Sequence, residues 1–421
     1  MAKVTVVGGG LAGLVASHKL ASRGHDVTVL EKTETVGGRL RTRHVDGFTL
    51  DRGFQVLFTA YPSVRSVLSL QELDLRRFPP GAVICRNGTR SVVGDPFRSP
   101  RAIPETLLSR AVTVRDGIRV LKLRRALRNQ PRAAIFSQPD QPAEDWFRSH
   151  RFSDRFLDGF ARPLFGGITL DRSLGTSANV VAYTFAAMAA GAIAVPEAGM
   201  AAIPRQLERR AQEAGVSFEA NTPVTAITAG SDGVSITTET DTRQSDIGIV
   251  ATDAVTAAEL TGVEAIPTEM VGVVTQYYSI PSPGLDTKRI LLNGDGGDPI
   301  HIVPQSAVAP KQSPPGRELI SATFLAADET PASELLAMTK GRLEAWYPER
   351  HFRLELLETD RIPRAQFAQP PGIHERLPSV SAPEGPIYLA GEYTSWSAID
   401  GAIESGLTAA EAVMARSKKR P

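Results

Sequence analysis

The sequence predicts an α/β protein: a Rossmann-like dinucleotide-binding domain into which a second, α+β domain is inserted. Three observations carry this reading. An apolar run and a glycine-rich turn open the chain, a buried-strand pattern recurs near residues 247–251, and a third strand pattern with a long amphipathic run closes it. Strand patterns of this kind are thus spread over 421 residues. The chain between them is long enough for a domain of its own, at roughly 100–200 residues per domain.

The N-terminal elements follow in order. Val4-Thr5-Val6-Val7 reads as a buried strand. Gly8-Gly9-Gly10-Leu11-Ala12-Gly13 matches G-x-G-x-x-G. Leu11, Leu14, Val15, His18 and Ala21 have helical spacing that ends at Gly24, and residues 26–30 form a second strand closed by Glu31 and Lys32. Gly8 permits the tight turn, Gly10 lets the backbone approach a pyrophosphate, and Gly13 lets helix and sheet pack closely. The first helical N–H groups, around Leu11 and Ala12, face the phosphates. Glu31 is placed to accept hydrogen bonds from the adenosine ribose. Strand, glycines, helix, strand and acid in this order point to dinucleotide binding.

A second glycine pair, Gly37-Gly38, followed by Arg39, lies just beyond the ribose acid, and Asp51-Arg52-Gly53-Phe54-Gln55-Val56 comes next. On these residues the chain resembles the flavin amine oxidase superfamily, most of all its protoporphyrinogen oxidase and phytoene desaturase-like branch. The resemblance implies FAD in a glutathione-reductase-type domain. It places Gly38 and Arg39 in the glycine–arginine segment, and Gly53, Phe54, Gln55 and Val56 at a turn beside the flavin ring. Residues 221–251 read as strand, hairpin and buried strand, with Asp232-Gly233 as a turn; the resemblance sets the backbone of Val224 against the adenine. Residues 387–392 form a strand ending in Gly391-Glu392, and Ile403, Leu407, Ala410, Val413 and Met414 have helical spacing after it. The resemblance brings Glu392 to the ribityl chain and the helix start, Ile399 to Ala402, beneath the flavin pyrimidine. The implied FAD-binding domain is discontinuous, covering 1–58, 196–258 and 376–421. A substrate domain takes 59–195 and 259–375.

The implied chemistry is dehydrogenation of a small, apolar substrate by hydride transfer to flavin N5. Segments 162–168, 199–204 and 303–316 are similar to desaturase and protoporphyrinogen oxidase segments. The first alternative is an amine oxidase with an altered pocket. Amine oxidases of the superfamily carry a lysine on a substrate-domain strand; residues 271–278 compare with it, yet no lysine occurs between Lys122 and Lys288. Ala398 stands where a cage aromatic is expected, with Trp396 two residues before it. A non-enzyme alternative is a flavin-binding subunit without a substrate. No catalytic residue is assigned; Gln276, Tyr277, His301 and Trp396 are the pocket candidates. The flavin-linking cysteine of monoamine oxidases has no counterpart here, since the single cysteine, Cys85, lies far from that place in the sequence, so the FAD is expected to be non-covalent. Oxygen and a quinone are the candidate acceptors.

Composition excludes other classes. Lys and Arg number 47 against 46 acids, a net charge of +1 that argues against a nucleic-acid binder. One cysteine allows no internal disulfide. Seven histidines form no H-x-H or H-x-x-x-H pair, so no metal is expected. The N-terminal apolar run is too short for a signal peptide, and a cytoplasmic protein is expected. Residues 173–196 carry no charge; alanine dominates from 178 to 195, which predicts an internal helix. Residues 115–128 carry Arg115, Arg119, Lys122, Arg124, Arg125 and Arg128 around Ile118, Leu121 and Leu127. This predicts a basic amphipathic helix, suited to solvent or to peripheral contact with an anionic membrane. Proline-rich 304–316 and 363–372 read as loops, and the basic residues 417–421 as a frayed end.

Overall fold

The computed structural model describes residues 1–94, 98 and 112–417; tail residues 418–421 lie outside them. Five parallel strands form the central sheet, in the order Ser217–Glu219, Asp26–Leu30, Lys3–Val7, Ile247–Val250, Ile387–Leu389. A parallel sheet is covered on both faces, which is why its strands read as apolar runs. Helix Leu11–Ala21 packs on the sheet and is buried along most of its length. Helix Ile399–Ser417 lies against it so closely that a Cβ at Gly406 would come within 2.4 Å of the Ala12 carbonyl oxygen. A meander of Val224–Ala229, Val234–Thr238 and Thr242–Ser245 precedes the fourth strand.

A second sheet has seven strands in the order Glu355–Phe367, Met270–Pro281, Arg317–Phe324, His301–Val303, Leu291–Asn293, Ala82–Arg86, Thr89–Val93. Its pairings are antiparallel, except that Leu291–Asn293 runs parallel to Ala82–Arg86. Helices between Val114 and Ala190 cover one side of its short strands around Phe147, Phe156, Leu157 and Phe165.

Three expectations change. The alanine-rich segment is a helix only over Ala178–Ala190; Ile193–Pro196 is a strand between Leu57–Phe58 and Leu75–Arg77. Gly191 ends the helix, and a Cβ there would collide with Ala60 at 2.6 Å. The supposed loop at 363–372 begins as strand: Glu355–Phe367 holds Pro363 on the sheet's edge, beside an irregular pairing at Val271/Val273. A proline lacks the N–H that an interior strand must donate, and an edge tolerates this. Within 304–316, Gln305–Val308 and Pro310–Gln312 are short helical turns. The basic helix spans Val114–Leu127 and opens with a capping box between Thr113 and Asp116.

Candidate active site

A cavity of about 1040 Å³ runs from the N-terminal glycine turn to the helices between Val114 and Ala190. Its first part is built by the central sheet. Gly8 has φ +106°, and a Cβ on it would sit 2.6 Å from the Ala251 carbonyl oxygen. A Cβ on Gly13 would sit 2.1 Å from the Gly8 carbonyl oxygen. Both glycines are needed for packing, and Gly13 does not line the cavity. Gly10 differs: it is the N-cap of the first helix, no side chain caps that helix, and a Cβ on it would meet nothing within 4 Å. The space in front of the free helical N–H groups is therefore open, the arrangement that receives phosphates.

Gly8, Gly10, Leu11, Ala12, Glu31, Lys32 and Val224 all line the cavity. Glu31 is buried. Its Oε2 accepts the Gly9 N–H at 2.8 Å, and its Oε1 accepts the Thr33 N–H and hydroxyl at 3.0 and 2.7 Å. These bonds fix the carboxylate at the cavity wall, with lone pairs left over for a diol. Arg39 donates to Glu392 Oε1 at 2.6 Å and to the Ala365 carbonyl at 2.7 Å, tying the glycine pair to the C-terminal strand. Gly38, Arg39, Gly391, Glu392, Ile399 and Ala402 all line the cavity. So does Arg41, which the sequence did not single out; it donates to the Gly38 carbonyl at 3.0 Å and the Thr33 hydroxyl at 2.8 Å.

Gly53, Phe54, Gln55 and Val56 lie where the crevice meets the second sheet. Gly53 has φ +76°, and its N–H donates to Asp360 at 3.0 Å. Beyond them the walls turn apolar, with Phe78, Phe156, Phe160, Leu164, Ile168 and Met188. Trp396 lines the cavity, packed at 5.4 and 5.2 Å against Tyr61 and Tyr183, and its Nε1 has no partner. Tyr183 donates to Asp400 at 3.3 Å, and burial raises the Asp400 carboxyl above its ordinary range. Trp396 was a pocket candidate, but its grouping with Tyr61 and Tyr183 was not foreseen, because the three come from distant segments.

Two of the four pocket candidates lie elsewhere. Side chains alternate along a strand, and Gln276 points away from the cavity, donating to the Ala332 carbonyl at 3.0 Å and the Thr359 hydroxyl at 2.9 Å. Tyr277 is on the opposite face but is buried among Phe48, Leu50 and Leu319. The residue which this strand turns to the cavity is Val273. His301 does line the cavity, 5.6 Å from the Phe54 ring, and burial lowers its pKa to about 4, so it is neutral at pH 7. Among the described residues no group of three or more His, Cys, Asp or Glu is placed to hold a metal.

The chain is similar to known flavoproteins. It is 30% identical over 171 residues to protoporphyrinogen oxidase 2, chloroplastic/mitochondrial, of Arabidopsis thaliana, over 39% of this chain and 32% of that protein. It is 49% identical over 51 residues to a 4,4'-diapophytoene desaturase of Staphylococcus aureus, over 12% of this chain and 10% of that one. The chain thus matches a third or less of the length of these relatives. Among solved structures, a protein described as a protoporphyrinogen oxidase from Exiguobacterium sp. 255-15 superposes with a TM-score of 0.73 at 17% identity, covering 98% of this chain and 99% of that one. A putrescine oxidase bound to putrescine gives 0.73 at 18% identity, covering 99% of each. At such identities the likeness is one of fold, shared equally by the two. The profile of flavin containing amine oxidoreductases matches residues 11–414, nearly the whole chain. The chain belongs to this flavin-dependent family of oxidoreductases.

Proposed function

We propose that the chain holds FAD non-covalently and dehydrogenates a small, apolar molecule. The observation that carries this reading is the continuity of one cavity, from an open helix N-terminus and a buried carboxylate to an apolar chamber. The FAD-binding part is assigned to 1–58, 196–258 and 376–421, and the substrate part to 59–195 and 259–375. The N–H groups of Leu11 and Ala12 would receive the pyrophosphate, Glu31 the ribose hydroxyls and Val224 the adenine. Gly38, Arg39, Glu392, Ile399 and Ala402 would hold the rest of the cofactor, with Gly53 to Val56 and Trp396 bordering its ring. A bound flavin supplies the two-electron acceptor for a hydride leaving a substrate carbon. Val273 and Ile362 keep the wall beside the Gly53 turn dry. No ionisable side chain enters the cavity from the Val273 strand, which suits cleavage of an activated C–H bond better than the oxidation of an amine.

Purified protein is expected to be yellow and to release all of its flavin to the supernatant on heat denaturation. Anaerobic mixing with a panel of polyenes, porphyrinogens and amines is expected to bleach the flavin absorbance with members of the first two groups. Bleaching by amines alone would reverse the assignment to an amine oxidase. Bound flavin that nothing reduces, in a protein isolated with a stable partner, would make the chain a flavin-binding subunit.

A surface feature favours a quinone over oxygen as the final acceptor. Val114, Ile118 and Leu121 are 63%, 50% and 37% exposed along one stripe of the basic helix, and all three line the cavity's rim. Arg115, Lys122 and Arg125 are exposed around them. We propose that this rim rests on an anionic bilayer, although among the described residues no helix is long and apolar enough to cross one. Burying two aliphatic side chains contributes about 3 kcal/mol. Replacing Ile118 and Leu121 together by glutamate is expected to lower co-sedimentation with phosphatidylglycerol vesicles at least about tenfold. Unchanged co-sedimentation would remove the membrane from the proposal.

A further inference from the structure

A row of four polar side chains crosses the second sheet behind the Gly53 turn and reaches the chamber at one end, and three of the four have no partner in the fold. His301, Thr323, Thr275 and Asp360 are register partners across four adjacent strands. Cross-strand partners present their side chains on the same face, with Cβ atoms about 5 Å apart. Asp360 at one end is occupied, accepting from the Gly53 N–H and from Arg43 at 3.0 and 2.9 Å. The other three are not. The Oγ1 atoms of Thr275 and Thr323 and both ring nitrogens of His301 are buried without a hydrogen-bond partner. Their exposures are 1%, 3% and 5%. A buried polar atom left without a partner costs about 1–3 kcal/mol, so a row of them needs a reason.

His301 and Thr323 both line the cavity. The surroundings of His301 position the ring without satisfying it. Phe54 meets it edge to face, and the helix residue behind it is Gly167, where a Cβ would come 2.7 Å from His301 Nδ1. The carbonyl of Pro163 is close enough to oppose the lowering of the His301 pKa but lies outside hydrogen-bonding geometry. The neutral imidazole can offer one N–H donor and one acceptor, and the threonine hydroxyl can do either. Neither carries charge, so they suit a neutral partner and have nothing to offset the desolvation of a carboxylate or an ammonium.

We propose that His301 and Thr323 form a recognition site for a neutral oxygen, a carbonyl or hydroxyl, on an otherwise apolar ligand of the chamber. The proposal rests on the functional reading above and narrows its substrate class: the molecule oxidised here is an oxygen-bearing one rather than a plain hydrocarbon. A hydrocarbon would leave the pair as unsatisfied as it is without ligand. A site built to bond an oxygen discriminates against the analogue lacking it for that reason.

The test uses FAD-loaded protein and two probes of nearly equal shape, 2-acetylnaphthalene and 2-isopropenylnaphthalene, with binding followed by equilibrium dialysis. The ketone is expected to bind about tenfold more tightly than the hydrocarbon, one to two net hydrogen bonds' worth. Thr323→Val, which keeps the shape, is expected to cut this preference to about threefold. His301→Phe combined with Thr323→Val is expected to abolish it, so that the two probes bind equally. A preference that survives in the double variant, or is absent from the parent while both probes bind, overturns the recognition site and leaves the apolar chamber standing. If neither probe binds to FAD-loaded parent protein, the chamber reading falls together with the site.

Discussion

Replacing Gly10 by alanine is expected to weaken FAD binding at least about a hundredfold while changing the stability of the flavin-free protein by no more than about 1 kcal/mol. Gly13→Ala is expected to do the reverse damage, destabilising the flavin-free protein by about 3 kcal/mol or more. The two glycines lie three residues apart in one turn, and their surroundings explain the contrast. The backbone of Gly10 has φ −73° and ψ 179°, which alanine adopts without strain, and the new Cβ would meet no protein atom within 4 Å. It would instead project into the space in front of the helix N-terminus. A pyrophosphate drawn back from those N–H groups loses charge-assisted hydrogen bonds of about 1.5–3 kcal/mol each. At Gly13 the new Cβ would lie 2.1 Å from the Gly8 carbonyl oxygen and 3.1 Å from the Ala251 Cβ. The first neighbour is backbone, fixed by the Gly8 N–H bond to the Leu30 carbonyl at 2.8 Å, so helix and sheet must separate. Urea denaturation of the apo variants and FAD titration by flavin fluorescence measure the two effects independently. A Gly10→Ala protein that binds FAD as tightly as its parent would mean that the flavin is not seated on this turn.

The contrast also shows which parts of the site could be read from the chain. The glycine turn, Glu31 and Glu392 are legible because their constraints are local: a tight turn, an open helix end, an acid closing a strand. Gly8, Gly10, Glu31 and Glu392 line the cavity, while Gly9 and Gly13 do not. The substrate side is set by pairings between distant segments, and no local pattern announces them. Gln276 and Tyr277 were drawn from a strand correctly placed at 271–278, within the observed Met270–Pro281. Which face of that strand looks into the cavity depends on its neighbours, and the answer is Val273. Thr323 was missed altogether, since a threonine in an apolar strand carries no signal until His301 is found beside it. The alanine-rich run misled in a similar way: helix and buried strand are equally apolar, and only Gly191 marks the change between them.

Asp51 should make the protein's stability fall as pH rises through 6. Its carboxyl is buried at the end of the strand that leads to the Gly53 turn, and burial raises its pKa from 3.8 to about 6, against the pull of the Thr42 hydroxyl at 2.6 Å and the Met200 N–H at 2.7 Å. The folded chain therefore holds a proton that the unfolded chain releases between pH 4 and 6. The stability this gives is complete below the unfolded pKa and is lost as pH climbs through the folded one. A shift of this size amounts to about 3 kcal/mol. Asp51→Asn keeps an oxygen for both donors and removes the charge, but leaves an amide N–H₂ to be accommodated at a cost of about 1 kcal/mol. The variant is therefore expected to be more stable than its parent by about 2 kcal/mol at pH 8 and less stable by about 1 kcal/mol at pH 4. Urea denaturation at the two pH values measures this crossing. A stability difference that does not change with pH would mean that the fold accommodates the carboxylate as readily as water does. The Thr42 and Met200 bonds would then offset burial, and Asp51 would be an anionic anchor for the strand that delivers Gly53 and Phe54 to the cavity.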